Sequence, residues 1–577
     1  MQPETAPVRA SPAVAGVADR RRGSRRLATA AAVGLALAVA GLSLLVPWSL
    51  AFDPWAWAVW GREVWHGGLD TSGGPSWKPL PVVVTAALSW TGSTVPALWL
   101  VVARAGGLLA LAGAHRLAGR LAGPLAAWTA VAALAVSEWW LFNTALGNSE
   151  GLLAAAVLWA IVAHLDGRTR LALALGVAAA LLRPEAWPFL ALYAVWLARA
   201  GRERAGVVAL IVAPVPLLWF GPDVLGPGGA LGASEAARGP ASAGAAAHAD
   251  VPGLQVLVDF LQLLTPPVAL AAVAGALWGG RTARRLGLAA VAWVAIVAVM
   301  AQAGYAGNPR YTVAAAAVCC VLAGVGAVRA GQALAGARAP EATEGSATRS
   351  RPVTAAAAVR SAAHTRAVDA TTADRSATRS RPVIATALAV AAAALACTAP
   401  TLADQTRELG DRADRRSDLG VLLERAGGTA AVRACAPVRT NHDMSSMVAW
   451  RLDIPPSHLA DRPRTPVVVL RAPAGYTGGP SSPAPPDGAD RVATAGAWSL
   501  FAACADGRAP TAPTAMGRRT ASTAAARSRS PTAMGRRTGS TAAARSRSPL
   551  SAGRRRPAAA SGPSRGNGRS PPVHSER

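Results

Sequence analysis

Asp53 and Lys78 are the residues of this chain whose types and setting suit chemistry. Between them, Phe52-Asp53-Pro54-Trp55 runs on through Trp57, Trp60, Arg62, Glu63, Trp65 and His66. The stretch closes on Gly73-Gly74-Pro75-Ser76-Trp77-Lys78-Pro79-Leu80-Pro81, and six tryptophans fall between residues 48 and 77. A carboxylate can take a proton from an attacking hydroxyl. An ammonium group can stabilise charge that builds on a departing phosphate. Asp53 suits a helix-end turn equally well, and Lys78 suits an interfacial lysine whose stem lies along lipid. Lys78 is the only lysine among the 58 basic residues. Against a composition rich in Ala, Arg, Gly and Pro, as in GC-rich, actinobacteria-like genomes, its retention stands out.

Other polar residues fall at the ends of apolar runs. Glu138 closes one run, and Asn148-Ser149-Glu150 opens the next. Arg183 and Glu185 bracket Pro184, and Asn308-Pro309-Arg310-Tyr311 opens a late run. Arg104 lies within a run, where a charge is costly and faces a partner or a cavity. Arg310 is a second candidate for a phosphate, and Tyr311, Arg183, Glu185, Glu150 and Arg104 are candidates to line the same polar cavity. The competing reading is ion pairing between helices, such as Arg183 with Glu150, that merely holds a bundle together.

The elements that must position these residues are membrane helices. The chain is 52% hydrophobic and 15% charged, where a soluble chain carries about a quarter charged residues. The apolar residues form long, non-alternating Ala/Leu/Val blocks, which favours helices over a barrel. The expected fold is an all-α polytopic membrane protein of about eleven spans, with a small C-terminal extracytoplasmic α/β domain and a disordered basic tail. The spans are read at 27–50, 93–114, 121–141, 150–165, 171–182, 187–199, 205–221, 256–278, 286–303, 309–328 and 382–400. Arg20–Arg26 and the basic turns at Arg116–Arg120, Arg168–Arg170, Arg199–Arg204 and Arg281–Arg285 then fall on one side. By the positive-inside rule that side is the cytoplasm. The first run is too long for a signal-peptide core and is read as a retained helix.

The resulting organisation is a basic cytoplasmic N-terminus (1–26), a transmembrane domain (27–328) with a first outer loop at 51–92, a disordered linker (329–381), a last span (382–400), an outer domain (404–505) and an Arg-rich tail (506–577). In the loop, Trp57, Trp60 and Glu63 have the spacing of an amphipathic helix lying on the membrane and holding Asp53 at a cavity mouth. Cys435 and Cys504 are the only cysteines outside the spans, and a disulfide is expected between them. The linker repeats SATRSRPV at 346–353 and 376–383, and the tail duplicates residues 513–530 at 531–548 with one change.

An acid directly after the first span, an aromatic interfacial helix and Lys-Pro before the second resemble the GT-C glycosyltransferases. The resemblance is narrower to the dolichyl-phosphate-mannose-protein mannosyltransferase and lipid A aminoarabinose transferase-like branch. It covers residues 27–330. Position 54 is proline where that branch often pairs a second acid, and the second proline of its lysine motif is displaced to Pro81. The resemblance implies transfer of a sugar from a polyprenyl-phosphate carrier to an envelope glycan, lipid or protein acceptor outside the cytoplasmic membrane. Asp53 is then the base, and Lys78 or Arg310 the phosphate partner. Arg310-Tyr311 resembles the Arg-Tyr near the start of a late helix in such enzymes.

Membrane lipids are expected partners and nucleic acid is not, given the outer placement of the basic tail. Beyond the lipid-linked donor no cofactor is indicated, and no His/Cys cluster has metal-ligand spacing. A divalent metal stays an open question. Lys78 is followed by proline rather than Ser/Thr and there is no Gly-rich phosphate loop, which disfavours an ATP-driven pump. A transporter or flippase of lipid-linked precursors, or a non-catalytic envelope protein, are the alternatives.

Overall fold

The computed structural model describes residues 12–71, 73–75, 77–225, 245–337, 361–435, 437–459, 466–472, 483–485, 487–504 and 510. Of 12–26 and 361–380 it gives the helical backbone only. The first SATRSRPV copy, the tail repeats and most of the loop after residue 225 lie outside the described residues.

Apolar helices dominate. They are Pro12–Leu42 (α1), Phe52–Trp65 (α2), Pro79–Leu88 (α3), Val95–Ala122 (α4), Pro124–Ala135 (α5), Glu138–Ala145 (α6), Glu150–Leu165 (α7), Thr169–Leu182 (α8), Trp187–Arg199 (α9), Ala205–Val212 (α10) and Pro214–Leu225 (α11). They continue as Pro252–Leu264 (α12), Pro266–Trp278 (α13), Arg281–Gln302 (α14), Val313–Ala337 (α15) and Ser361–Arg425 (α16). Among the described residues six helical stretches are long and apolar enough to cross a membrane, or eight if each bent pair is one span. The protein is a multi-pass membrane protein; the described residues give fewer full-length spans than the eleven or so expected from hydropathy, with Glu150–Leu165 and Thr169–Leu182 apolar but shorter.

The differences have local causes. The run read as one span at 256–278 is two helices, α12 and α13, bent by 97°. Thr265, between them, takes φ 61°, and Pro266 behind it bars the α conformation at that position. The run at 121–141 is likewise broken into α5 and α6 at 63°. Residues 361–381, read as linker, are the first turns of α16, which continues for 65 residues through the last apolar run and beyond it. Part of the outer loop, Pro79–Leu88, is helical as well, with proline at its first turn, where the missing N–H costs nothing.

The helix α15 is the buried centre of the bundle. Its contact with α13 is built on glycine. A Cβ on Gly275 would come within 2.8 Å of the Leu322 carbonyl carbon, and one on Gly326 within 2.7 Å of the Gly275 nitrogen. Small residues let membrane helices approach this closely, and dispersion rather than hydrophobicity then holds them.

The last turns of α16 enter a second, α/β domain. It adds Thr429–Cys435 (α17), Val438–Thr440 (β1), His442–Leu452 (α18), Val467–Arg471 (β2), Asp490–Ala495 (β3) and Trp498–Ala503 (β4). The strands form one sheet in the order β1-β2-β4-β3, with β1 parallel to β2 and the other pairs antiparallel. Along β4 the buried residues alternate with partly exposed ones, the pattern of a sheet covered on one face. Leu419, Leu422 and Leu423 of α16 pack under it with Val448, Leu452, Leu470 and Trp498. Cys435 and Cys504 are disulfide-bonded, joining the end of α17 to the residue after β4. This core is continuous with Trp55, Trp57, Trp60 and Trp77 of the first loop, so the domain sits on α2.

Candidate active site

Six ionisable side chains meet at the domain-facing end of the bundle, each supplied by the end of an element. Asp53 is in the first turn of α2 and Lys78 is the N-cap of α3. Glu150 is the first residue of α7. Arg183 caps α8 in extended conformation, as the residue before Pro184 must, and Glu185 sits in the short turn that follows. Arg310 and Tyr311 lie in the turn Pro309–Thr312, where the Arg310 N–H donates to Asn308 Oδ1 at 3.2 Å.

The carboxylate of Asp53 is shared. Its Oδ2 lies 2.9 Å from Arg310 Nη2 and 3.6 Å from Lys78 Nζ. Glu150 Oε1 accepts from Arg183 Nη2 at 2.7 Å. Lys78 also reaches Ser149 Oγ at 3.5 Å and stands 5.0 Å from the centre of the Trp57 ring. The Arg183 guanidinium lies 4.1 Å from the centre of the Tyr311 ring, close enough for a cation–π attraction. Three cations are therefore paired with two carboxylates, Asp53 and Glu150, in a buried setting. Asp53, Lys78, Glu150, Arg183 and Glu185 are all buried. Arg310 keeps a quarter of its side chain exposed.

Burial alone would push the Asp53 carboxyl up, but Arg310, Lys78 and Arg183 outweigh it and hold it below the usual range. Burial, reinforced by repulsion from Arg183, draws the Lys78 ammonium down to about 8. Glu185 moves the other way. Its burial is stronger than its attraction to Arg183, and its carboxyl is raised.

Several buried polar atoms of the cluster find no hydrogen-bond partner: Glu150 Oε2, Glu185 Oε2, Arg183 Nε, Arg310 Nε and Trp57 Nε1. Such atoms are rare in native interiors because each costs its desolvation. Here five of them belong to one cluster. A cluster with spare donors and acceptors can take a ligand with oxygens of both kinds, such as a phosphate carrying hydroxyl-bearing groups.

Arg104 is placed differently from the other expected residues. Its guanidinium donates to the Ala145 carbonyl at 2.9 Å, the Ser43 carbonyl at 3.1 Å and Ser43 Oγ at 2.6 Å. It ties the ends of α1 and α6 together. The helix α2 also departs from expectation. Rather than lying open on a membrane surface, it is buried from Asp53 to Gly61, because α3 and α4 pack on it through Thr85 and Trp99 and the C-terminal domain covers its other side. Arg62 pairs with Asp453 at 2.8 Å and lies over the Trp450 ring at 4.9 Å. Phe52 meets His442, and Trp55 meets Trp450. A Cβ on Gly73 would fall 2.8 Å from the Pro456 carbonyl carbon, so only glycine fits where the loop passes the domain. Neither the Trp57 ring and Ser149 hydroxyl beside Lys78 nor the Arg62–Asp453 clamp is singled out by sequence. Arg62 and Glu63, charged residues inside an otherwise aromatic helix, are the only hint of the clamp.

Among the described residues no group of three or more His, Cys, Asp or Glu side chains is placed to hold a metal ion.

The fold and site thus define a class, a multi-pass membrane protein with a buried charge cluster at one end of its bundle, roofed by a small α/β domain. The chain matches no protein-family model and no curated protein. Among solved structures it is similar to ArnT from Cupriavidus metallidurans in the apo state, at 16% identity and a TM-score of 0.48, covering 83% of this chain and 98% of that one. It is also similar to the same protein bound to undecaprenyl phosphate, at 15% identity and a TM-score of 0.49, covering 84% and 99%.

Proposed function

We propose that this protein is a membrane glycosyltransferase that moves a sugar from a polyprenyl-phosphate carrier to an envelope acceptor. The observation that carries the reading is Asp53 Oδ2 held jointly by Lys78 and by Arg310, the partly exposed cation of the cluster. Two cations bound to one carboxylate form a ready seat for a phosphate, which brings the same charge and more oxygens. The basic turns of the opposite end support a cytoplasmic N-terminus, with the cluster and the C-terminal domain outside.

The chemistry follows from that exchange. The donor's phosphodiester enters past Arg310 and takes over the guanidinium and the Lys78 ammonium. Asp53, released from its cations, becomes a stronger base. An acceptor hydroxyl oxygen bonds to the anomeric carbon as the bond from that carbon to the phosphate oxygen breaks. The hydroxyl proton passes to Asp53, and the second negative charge gained by the leaving phosphate rests on Arg310 and Lys78. Fixed charges in a site closed to water stabilise such a transition state more than water can. Tyr311 and Arg183, stacked on each other, form the wall against which the sugar lies.

The test is turnover of a panel of polyprenyl-phosphate sugars by purified full-length protein. Transfer that is lost in both Asp53→Asn and Lys78→Ala, with both variants still folded in detergent, is the expected result. No turnover of any carrier, or full activity in both variants, overturns the reading.

A further inference from the structure

A second region carries chemistry of its own. The helices α7, α8, α9, α14 and α15 line an open-sided cavity of about 530 Å³ on the bundle side of the charge cluster. Its walls are apolar, with Ile161, Ala179, Leu190, Leu286 and Val318 among them. Between Thr282 and Trp293, which both line it, α14 rises about 16 Å. That is roughly half the 30 Å depth of a bilayer's hydrocarbon. One end reaches Ala186, next to Glu185.

The other end is polar, which an apolar slot alone does not need. Arg285, Thr282 and His164 line it. His164 Nδ1 lies 3.2 Å from the Tyr193 hydroxyl, and its ring stands edge-on to Trp196 at 5.5 Å. Arg285 is exposed, as are Arg281 and Arg284 on the same turn, and Arg285 makes no ion pair among the described residues. Aromatic and basic residues at the mouth of an apolar slot match the boundary between a lipid's chain and its head.

We propose that this slot is a phospholipid site: it holds one acyl chain of an anionic glycerophospholipid from the leaflet at the basic end of the bundle, with the lipid phosphate on Arg285 and Thr282. A chain entering from the charge cluster would fill the apolar part but leave the cation at the far end unused. A lipid entering from the basic end uses both. The site is distinct from the charge cluster and does not depend on sugar transfer.

The experiment is native mass spectrometry of the full-length protein after reconstitution in vesicles of phosphatidylglycerol or of phosphatidylcholine. One phosphatidylglycerol retained per chain, with phosphatidylcholine washed away, is expected. Arg285→Glu should lower that retention about fivefold or more, given the usual pull of one basic residue on an anionic lipid. Filling the slot with Ala160→Phe should do the same at an unchanged unfolding temperature. If that variant does not fold, Arg285→Glu, at an exposed position, decides alone. Equal retention of both lipids overturns the proposal, as does an Arg285→Glu variant that binds like the parent. Displacement of the retained lipid by polyprenyl phosphate, with Arg285→Glu silent, would assign the slot to the carrier's tail instead.

Discussion

Arg310 and Asp53 form an ion pair of 2.9 Å between the late turn before α15 and the first turn of α2. The pair joins the centre of the membrane bundle to the helix that the C-terminal domain covers. It also fixes the one carboxylate of the cluster that two cations share.

Asp53→Asn keeps the shape of the side chain and removes its charge and basicity. Transfer should fall by about a hundredfold or more, the usual share of a positioned base. The loss should appear in kcat rather than KM, because the amide leaves Arg310 and Lys78 free for phosphate. A raised KM at unchanged kcat would instead make Asp53 a binding residue.

The pH profile follows from Lys78. Its ammonium is held down to about 8 by burial and by Arg183, so in the free protein the charged form is lost as pH rises through that value. The cation is the form that binds phosphate, so kcat/KM should fall on the alkaline side of about 8. Folding stability moves the opposite way. Between about 8 and the unfolded lysine's range the unfolded chain binds more protons, and this group's contribution to stability rises with pH. Lys78→Arg should push the alkaline limb of kcat/KM upward if it retains activity. A limb that stays in place would assign it to another group.

Glu150 and Arg183 form the other pair, at 2.7 Å and fully buried. Arg183→Ala should destabilise the protein by roughly 3–5 kcal/mol, because Glu150 is left charged and unpaired. The double variant Glu150→Gln with Arg183→Met should recover much of the loss. Thermal unfolding in detergent measures both, and a double variant no better than the single one contradicts the pairing as the cause.

The Cys435–Cys504 bond closes a loop of 69 residues. Replacing both with serine should cost the C-terminal domain about 4 kcal/mol on the chain-entropy scale. Limited proteolysis should then cut within residues 426–504 well before it cuts the membrane helices. Identical cleavage in variant and parent would show that docking on α2, rather than the bond, holds the domain.

What the sequence made legible were residues at element ends. Asp53, Lys78, Glu150, Arg183, Glu185 and Arg310 stand out because charge beside a long apolar run is costly wherever it lies, and the structure brings them together. Arg104 carries the same signature and goes elsewhere. Sequence registers that a buried guanidinium needs acceptors, and two backbone carbonyls serve as well as a site does. The bend before Pro266 was hidden because hydropathy averages over a window, and both halves are apolar. The covering of α2 was hidden for another reason. It depends on Trp450 and Asp453, far away in the chain, and aromatic residues that face a protein domain read the same as residues that face lipid.

Helix α16 is continuous from the last apolar run into the core of the C-terminal domain, 65 residues in all with Pro382 and Pro400 inside it. An unbroken helix transmits rotation. Each residue inserted near 404 would turn everything beyond it by about 100°, swinging the sheet off Trp55 and Arg62. The length of this rod is therefore under as tight a constraint as the residues it helps to enclose. A chain of this kind should tolerate substitutions along the exposed face of α16 far better than any change in the number of its residues.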